Sequence, residues 1–170
     1  SQLNDQSIDD TSDNSFAANI GINDADFEDV TGNTFDQSNV QSIDDTGDPS
    51  SATNVGLNFA DAKDDSNDND VDQHNTQSID DTTHDSSALN FAENDVELED
   101  DSDNNDVDQS NNQEIDDTKK HSDATNIAEN NAEFDDSDDN DVNQANDQEI
   151  DDTKKGSSAE NDAENNVSFE

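Results

Sequence analysis

Three short stretches of the chain set carboxylate and amide oxygens at alternating positions. They read Asp65-x-Asn67-x-Asn69-Asp70, Asp101-x-Asp103-x-Asn105-Asp106 and Asp136-x-Asp138-x-Asn140-Asp141. Hard oxygen donors at this spacing suit Ca²⁺, which gathers about six to eight oxygens at flexible distances. These twelve residues are therefore the candidate metal ligands, and calcium is the expected ion. The plainer reading is a solvated acidic loop.

Other chemistry is hard to place. The alternating oxygens resemble the first half of an EF-hand loop, but its turn glycine and distal bidentate glutamate are missing and no helical pattern flanks it, so an EF-hand is rejected. His74, His84 and His121 fall at different points of the repeat described below, which argues against a shared metal or catalytic role. The pairs Lys119–Lys120 and Lys154–Lys155 follow Thr118 and Thr153 and relieve local repulsion. Asn166-Val167-Ser168 is a glycosylation sequon, a near-chance event in so Asn-rich a chain. No nucleophile–base pairing or phosphate-binding loop is visible, and a non-enzymatic role is expected.

The elements that must hold these turns are written in a period of two. From Phe35 the odd positions read Phe35, Gln37, Asn39, Gln41, Ile43. The same face returns as Val71, Gln73, Asn75, Gln77, Ile79, as Val107, Gln109, Asn111, Gln113, Ile115, and as Val142, Gln144, Asn146, Gln148, Ile150. Gln2, Asn4, Gln6 and Ile8 open the chain in the same phase. A second segment reads Asn19, Gly21, Asn23, Ala25, Phe27 and returns four times, ending as Asn161, Ala163, Asn165, Val167, Phe169. Strict alternation marks strands with one inward and one outward face. In the later repeats the outward positions of this second segment are mostly acidic, as in Glu93, Asp95, Glu97 and Glu99.

Both segments recur every 35 or 36 residues, a period that marks stacked repeats. The chain 1–170 therefore reads as a single repeat array, divided at approximately 1–34, 35–70, 71–106, 107–141 and 142–170. The connections are Asp-, Ser- and Asn-rich, with the single proline at Pro49, which is turn chemistry. Length changes fall in these connections. The fold class expected is an all-β solenoid or cross-β stack, one two-strand layer per repeat. Ser1 in place of an initiator methionine reads as the start of a processed or excised segment.

Composition points the other way. The chain carries 49 acids against five lysines, a formal charge of -44, and is 24% hydrophobic. Low hydrophobicity with high net charge is the signature of disorder, so intrinsically disordered acidic repeats are the alternative. The charge excludes nucleic acid and anionic membranes as partners, because both would be repelled. It favours divalent cations and basic surfaces. No apolar run is long enough to span a bilayer.

Stacking reconciles the two readings. Equivalent residues of adjacent layers lie roughly 4.8 Å apart, so inward Asn and Gln form ladders in which each buried amide is paired by its neighbour. Outward carboxylates stack at the same spacing, and each adjacent pair repels by roughly 0.9 kcal/mol even in water. Summed over many pairs this exceeds a typical net stability of about 5–15 kcal/mol. Either cations, high salt or low pH offset it, or the chain does not fold.

Asn19-Ile20-Gly21-Ile22-Asn23 and Asn54-Val55-Gly56-Leu57-Asn58, followed by Gly32-Asn33 and by Gln37-x-Asn39-x-Gln41-x-Ile43, resemble the repeat core of Fap-type biofilm amyloid subunits. The resemblance covers most of the first two repeats and fades where Gly21 and Gly56 give way to Ala92, Ala128 and Ala163. It implies a secreted subunit that stacks its repeats into an extracellular cross-β fibre. The sequence thus leads to a structural fibre subunit at the cell surface or outside the cell. It would add head-to-tail to its own copies, with cations such as calcium on its acidic face. A disordered calcium-binding or mineral-regulating protein, and a β-repeat spacer of a halophilic adhesin, are the alternatives.

Overall fold

The structure is a computed structural model that describes residues 1–9, 14–44, 50–63, 66–80, 82, 84–99, 103–116, 118–119, 121–135, 139–151, 153–154 and 156–169. The described residues form ten strands: β1 (Gln2–Ile8), β2 (Phe16–Glu28), β3 (Thr34–Ile43), β4 (Ser51–Lys63), β5 (Asp70–Ile79), β6 (Ser87–Leu98), β7 (Asp106–Ile115), β8 (Asp123–Phe134), β9 (Asp141–Ile150) and β10 (Ser158–Phe169). Odd strands form one parallel sheet in the order β1-β3-β5-β7-β9, and even strands a second in the order β2-β4-β6-β8-β10. Each pair of consecutive strands is one layer, and the layers stack into a β-solenoid, as the period-two and 35–36-residue patterns predict.

The register is the sequence alignment of the repeats. Gln2 pairs with Gln37, Asn4 with Asn39 and Ile8 with Ile43, and the same positions continue through β5, β7 and β9. In the second sheet Asn19, Gly21 and Asn23 pair with Asn54, Gly56 and Asn58. A slip of one residue would turn every amide outward, so the inward face fixes the register.

Two kinds of turn connect the strands. Seven residues separate each odd strand from the next even one, whereas five to seven separate an even strand from the next odd one. Length variation between repeats therefore sits in the second kind of turn and the adjoining ends of the even strands, which are 12 or 13 residues long. Among the described residues, every turn but that between β3 and β4 has a residue with positive φ: Gly32, Asp68, Asn104 and Asp139 in one column, Asn14, Asp85, His121 and Gly156 in the other. Gly, Asn and Asp tolerate this left-handed conformation best, which explains the turn composition without invoking ligands.

The interior has three zones. Ala17, Ile43, Ala52, Ile79, Ala88, Ile115 and Ala124 pack into one apolar post beside the first kind of turn. Phe27, Ala62, Val71, Val96, Leu98, Val107 and Phe134 form a second post beside the other. Phe27 and Phe35 stack across it with ring centroids 3.9 Å apart. Fully burying a side chain of this size contributes roughly 1.5–3 kcal/mol. Between the posts lie only amides and the small Gly/Ala column. At Gly21 an added Cβ would come 2.5 Å from Asn39 Oδ1, so that side chain would have to shift. The same column accommodates the alanines Ala92, Ala128 and Ala163.

Candidate functional site

The amide zone is a set of directional ladders. Gln37 Nε2 donates to Gln2 Oε1, Gln73 to Gln37, Gln109 to Gln73 and Gln144 to Gln109, at 2.8–3.0 Å. The column from Gln6 to Gln148 runs the same way. Each glutamine spends its other N–H on a carbonyl of the facing strand in its own layer, as Gln37 does on Phe59 O at 2.9 Å. The asparagines run in reverse. Asn4 donates to Asn39, Asn39 to Asn75, Asn75 to Asn111 and Asn111 to Asn146, at 2.9–3.0 Å. The columns beginning at Asn19 and Asn23 share that direction.

This polarity makes the two ends of the stack unlike. In the first layer Gln2 and Gln6 each use one N–H, on Asp24 O and Ile20 O, and keep one to give. Asn4 Oδ1 and Asn19 Oδ1 meet no donor among the described residues, although their equivalents one layer on accept from them. In the last layer Gln144 and Gln148 donate inward, leaving Oε1 atoms without a described donor. Asn165 accepts from Asn130 at 2.9 Å, and its own Nδ2 meets no acceptor among the described residues. Donors at one end thus match acceptors at the other, position by position. The outer edges of β1, β2, β9 and β10 carry no further strand among the described residues.

The predicted metal ligands divide between interior and surface. Asp65, Asp101, Asp136 and Asp138 lie outside the described residues, as do Pro49, Lys120 and Lys155. Asn69 and Asn105 are buried and staple the turns of adjacent layers. Asn33 N–H donates to Asn69 Oδ1 at 3.1 Å, Asn69 N–H to Asn105 Oδ1 at 2.9 Å and Asn105 N–H to Asn140 Oδ1 at 2.7 Å. Asn67 Oδ1 accepts from Asp103 N–H at 2.5 Å. The amide oxygens expected on a cation are thus engaged with backbone donors. The neighbouring Asp70, Asp106 and Asp141 point outward and stack in register at the starts of β5, β7 and β9. Among the described residues, exposed carboxylates are thus stacked along the solenoid.

Similar columns run down both outer faces: Asp36, Asp72 and Asp108 on the odd sheet, and Asp26, Asp61, Glu97 and Glu133 on the even sheet. Burial, and then the like charge of Asp70, holds the Asp72 carboxyl above the usual range. Burial, then Asp108 and Asp141, does the same to Asp106. Glu93 and Asp95 are also raised, first by burial and then by like charge, from the stacked Glu129 on Glu93 and from the nearby Glu133 on Asp95. Lys63 answers locally, 2.6 Å from Asp61 and 3.9 Å from Glu99. Among the described residues no group of three or more His, Asp or Glu converges on a metal-sized point.

Two features were missed in the sequence. One is the pair of turn ladders: the asparagines above, and Ser50, Ser86, Ser122 and Ser157, each of which accepts from the preceding layer's serine N–H. Their identity at one repeat offset was a readable signal. The other is an apolar column on the outward face of the even sheet, masked in the sequence by the surrounding acids. No family model, curated protein or solved structure matches the chain. No helix among the described residues is long and apolar enough to cross a membrane.

Proposed function

We propose that this chain is a structural subunit that adds head-to-tail to its own copies, forming an extracellular cross-β filament whose acidic faces are neutralised by cations such as calcium. The observation that carries the reading is the opposed polarity of the Gln and Asn ladders. A second copy seated below β9 and β10 would give its Gln2 and Gln6 N–H groups to Gln144 and Gln148. It would receive Asn146, Asn161 and Asn165 on its Asn4, Asn19 and Asn23. Head-to-head contact would oppose donor to donor and acceptor to acceptor. An open edge with unpaired backbone groups invites such addition, and a heterologous contact that does not close gives a filament.

The carboxylate columns support the cation. Each column stops short of at least one end of the stack, at Asn143, Ser168 or Thr34, so its neutralisation favours the folding of each copy. A divalent ion between Asp70, Asp106 and Asp141 would screen neighbouring layers at once. The resemblance to biofilm fibre subunits supports the extracellular location.

The test is far-UV circular dichroism of the purified chain with and without millimolar calcium, followed by electron microscopy of the same sample. A β spectrum with unbranched filaments, promoted by calcium, is expected. A coil spectrum without filaments at every calcium and salt level would overturn the reading and leave a disordered cation binder.

A further inference from the structure

The outward face of the even sheet is not uniformly acidic. Ile20, Val55, Phe91 and Ile127 stack in register across four layers, and Ile22 and Leu57 stand beside the first two of them. Ile20 and Ile22 are 57% and 56% exposed. The others are half-buried. The column ends at Asp162 in the fifth layer. On one flank, the outward column beside it turns acidic where Ile22 and Leu57 give way to Glu93 and Glu129. The other is neutral, with Thr53 and Thr125.

A chain that is 24% hydrophobic has little apolar surface to leave in water, and a contiguous exposed patch marks an interaction site. The column runs along the side of the solenoid from the open first layer to the fourth, and Val55, Phe91 and Ile127 lie clear of the stacking ends, so end-to-end assembly leaves them open. A second copy is a poor occupant, because it brings another -44 charges against the acidic flank. A helix fits the dimensions: its turns repeat about every 5.4 Å, close to the roughly 4.8 Å between layers. One apolar stripe can therefore follow the column for about three turns, with cations on one side reaching the acidic flank.

We propose that this stripe with its one-sided acidic border is a docking site for a cationic amphipathic helix of a partner protein, laid along the solenoid axis. The apolar residues supply the buried contact and Glu93 and Glu129 set which way the helix faces. Glu93 and Asp95, stacked directly after Leu57 and Phe59, are poorly solvated as anions and gain from a nearby cation.

The test is a fluorescence-anisotropy titration of the full chain in about 0.15 M salt, where loose charge attraction is screened. One labelled probe is a helical peptide of leucine and lysine; the other is oligolysine of equal length. The leucine–lysine helix is expected to bind at least about tenfold more tightly. Val55→Ser with Phe91→Ser, and separately Glu93→Gln with Glu129→Gln, should each weaken it by about tenfold or more while circular dichroism stays unchanged. Should the double serine variant lose its strand signal, Ile20→Ser with Ile22→Ser in the open first layer serves in its place. Equal binding of oligolysine, or indifference to the serine substitutions, would overturn the proposal. So would a chain dimer that the serine variant dissolves while the peptide fails to bind, which would make a second copy the occupant.

Discussion

Asn75 donates its Nδ2 to Asn111 Oδ1 at 2.9 Å, amide to amide across adjacent layers. Asn75 also reaches Glu93 O at 3.1 Å and Asn94 Oδ1 at 3.0 Å, and accepts from Asn39 at 2.9 Å. Removing it orphans several buried groups at once, each at about 1–3 kcal/mol. Asn75→Ala should therefore cost more than about 3 kcal/mol. Asn4→Ala removes the same kind of residue from the open first layer, where water can replace the lost partners, and should cost under about 1 kcal/mol. Urea denaturation of both variants checks this, and equal losses would contradict ladders as the source of order.

The raised carboxyls of Asp72, Glu93, Asp95 and Asp106 set the direction of pH dependence. A carboxyl whose pKa is raised on folding holds its proton more tightly in the folded chain. Its contribution is fully present below the ordinary values of 3.8 for Asp and 4.5 for Glu. It is lost as pH rises through the raised folded-state values. Most proteins lose stability in acid; this one should gain it between neutrality and the ordinary carboxyl range. Urea midpoints at low salt across that window provide the measurement, and a midpoint that falls on acidification would refute the carboxylate columns as the main opposing force.

Asp70, Asp106 and Asp141 form a column of exposed carboxylates. Replacing all three by Asn should raise the melting temperature in chelator at low salt, because like charges are removed. The same variant should gain less from added calcium than the parent chain, since a ligand that binds the folded state stabilises it by mass action. Thermal unfolding with calcium, magnesium and sodium at matched ionic strength separates binding from screening. A calcium effect identical in parent and variant would move the cation away from this column.

The strands, their register and the ladder columns were legible because one face repeats with a period of two and the repeats align almost without gaps. Ile8, Ile43, Ile79, Ile115 and Ile150 could be stacked on paper, and the structure stacks them. The candidate ligands were less legible. Asn69 and Asp70 are adjacent and equally polar in the sequence, yet one is buried and the other exposed. Where the chain turns inward depends on the left-handed residue Asp68, which composition does not reveal. Ladder polarity was also hidden, since an amide side chain reads the same in either direction until its neighbours orient it.

Asn165 lies in the last layer, with its Nδ2 facing the open end and no acceptor among the described residues. Asn165→Lys would put a long charged side chain where the next copy must seat Asn23, while the rest of the chain loses one exposed amide. The folded subunit should lose only about 1 kcal/mol, because the bonds from Asn130 and Asn146 to Asn165 Oδ1 lie in the open last layer, where water replaces them. Its other end remains intact, so it can join a growing filament and then stop it. Added in small proportion to the parent chain, it should shorten filaments in electron micrographs and lower the sedimentable fraction. Asn4→Lys blocks the opposite end and should do the same from the other direction. The two variants mixed together retain one complementary pair of ends and should yield dimers by analytical ultracentrifugation. Parent-length filaments in the presence of either variant would mean that growth does not proceed through these ends.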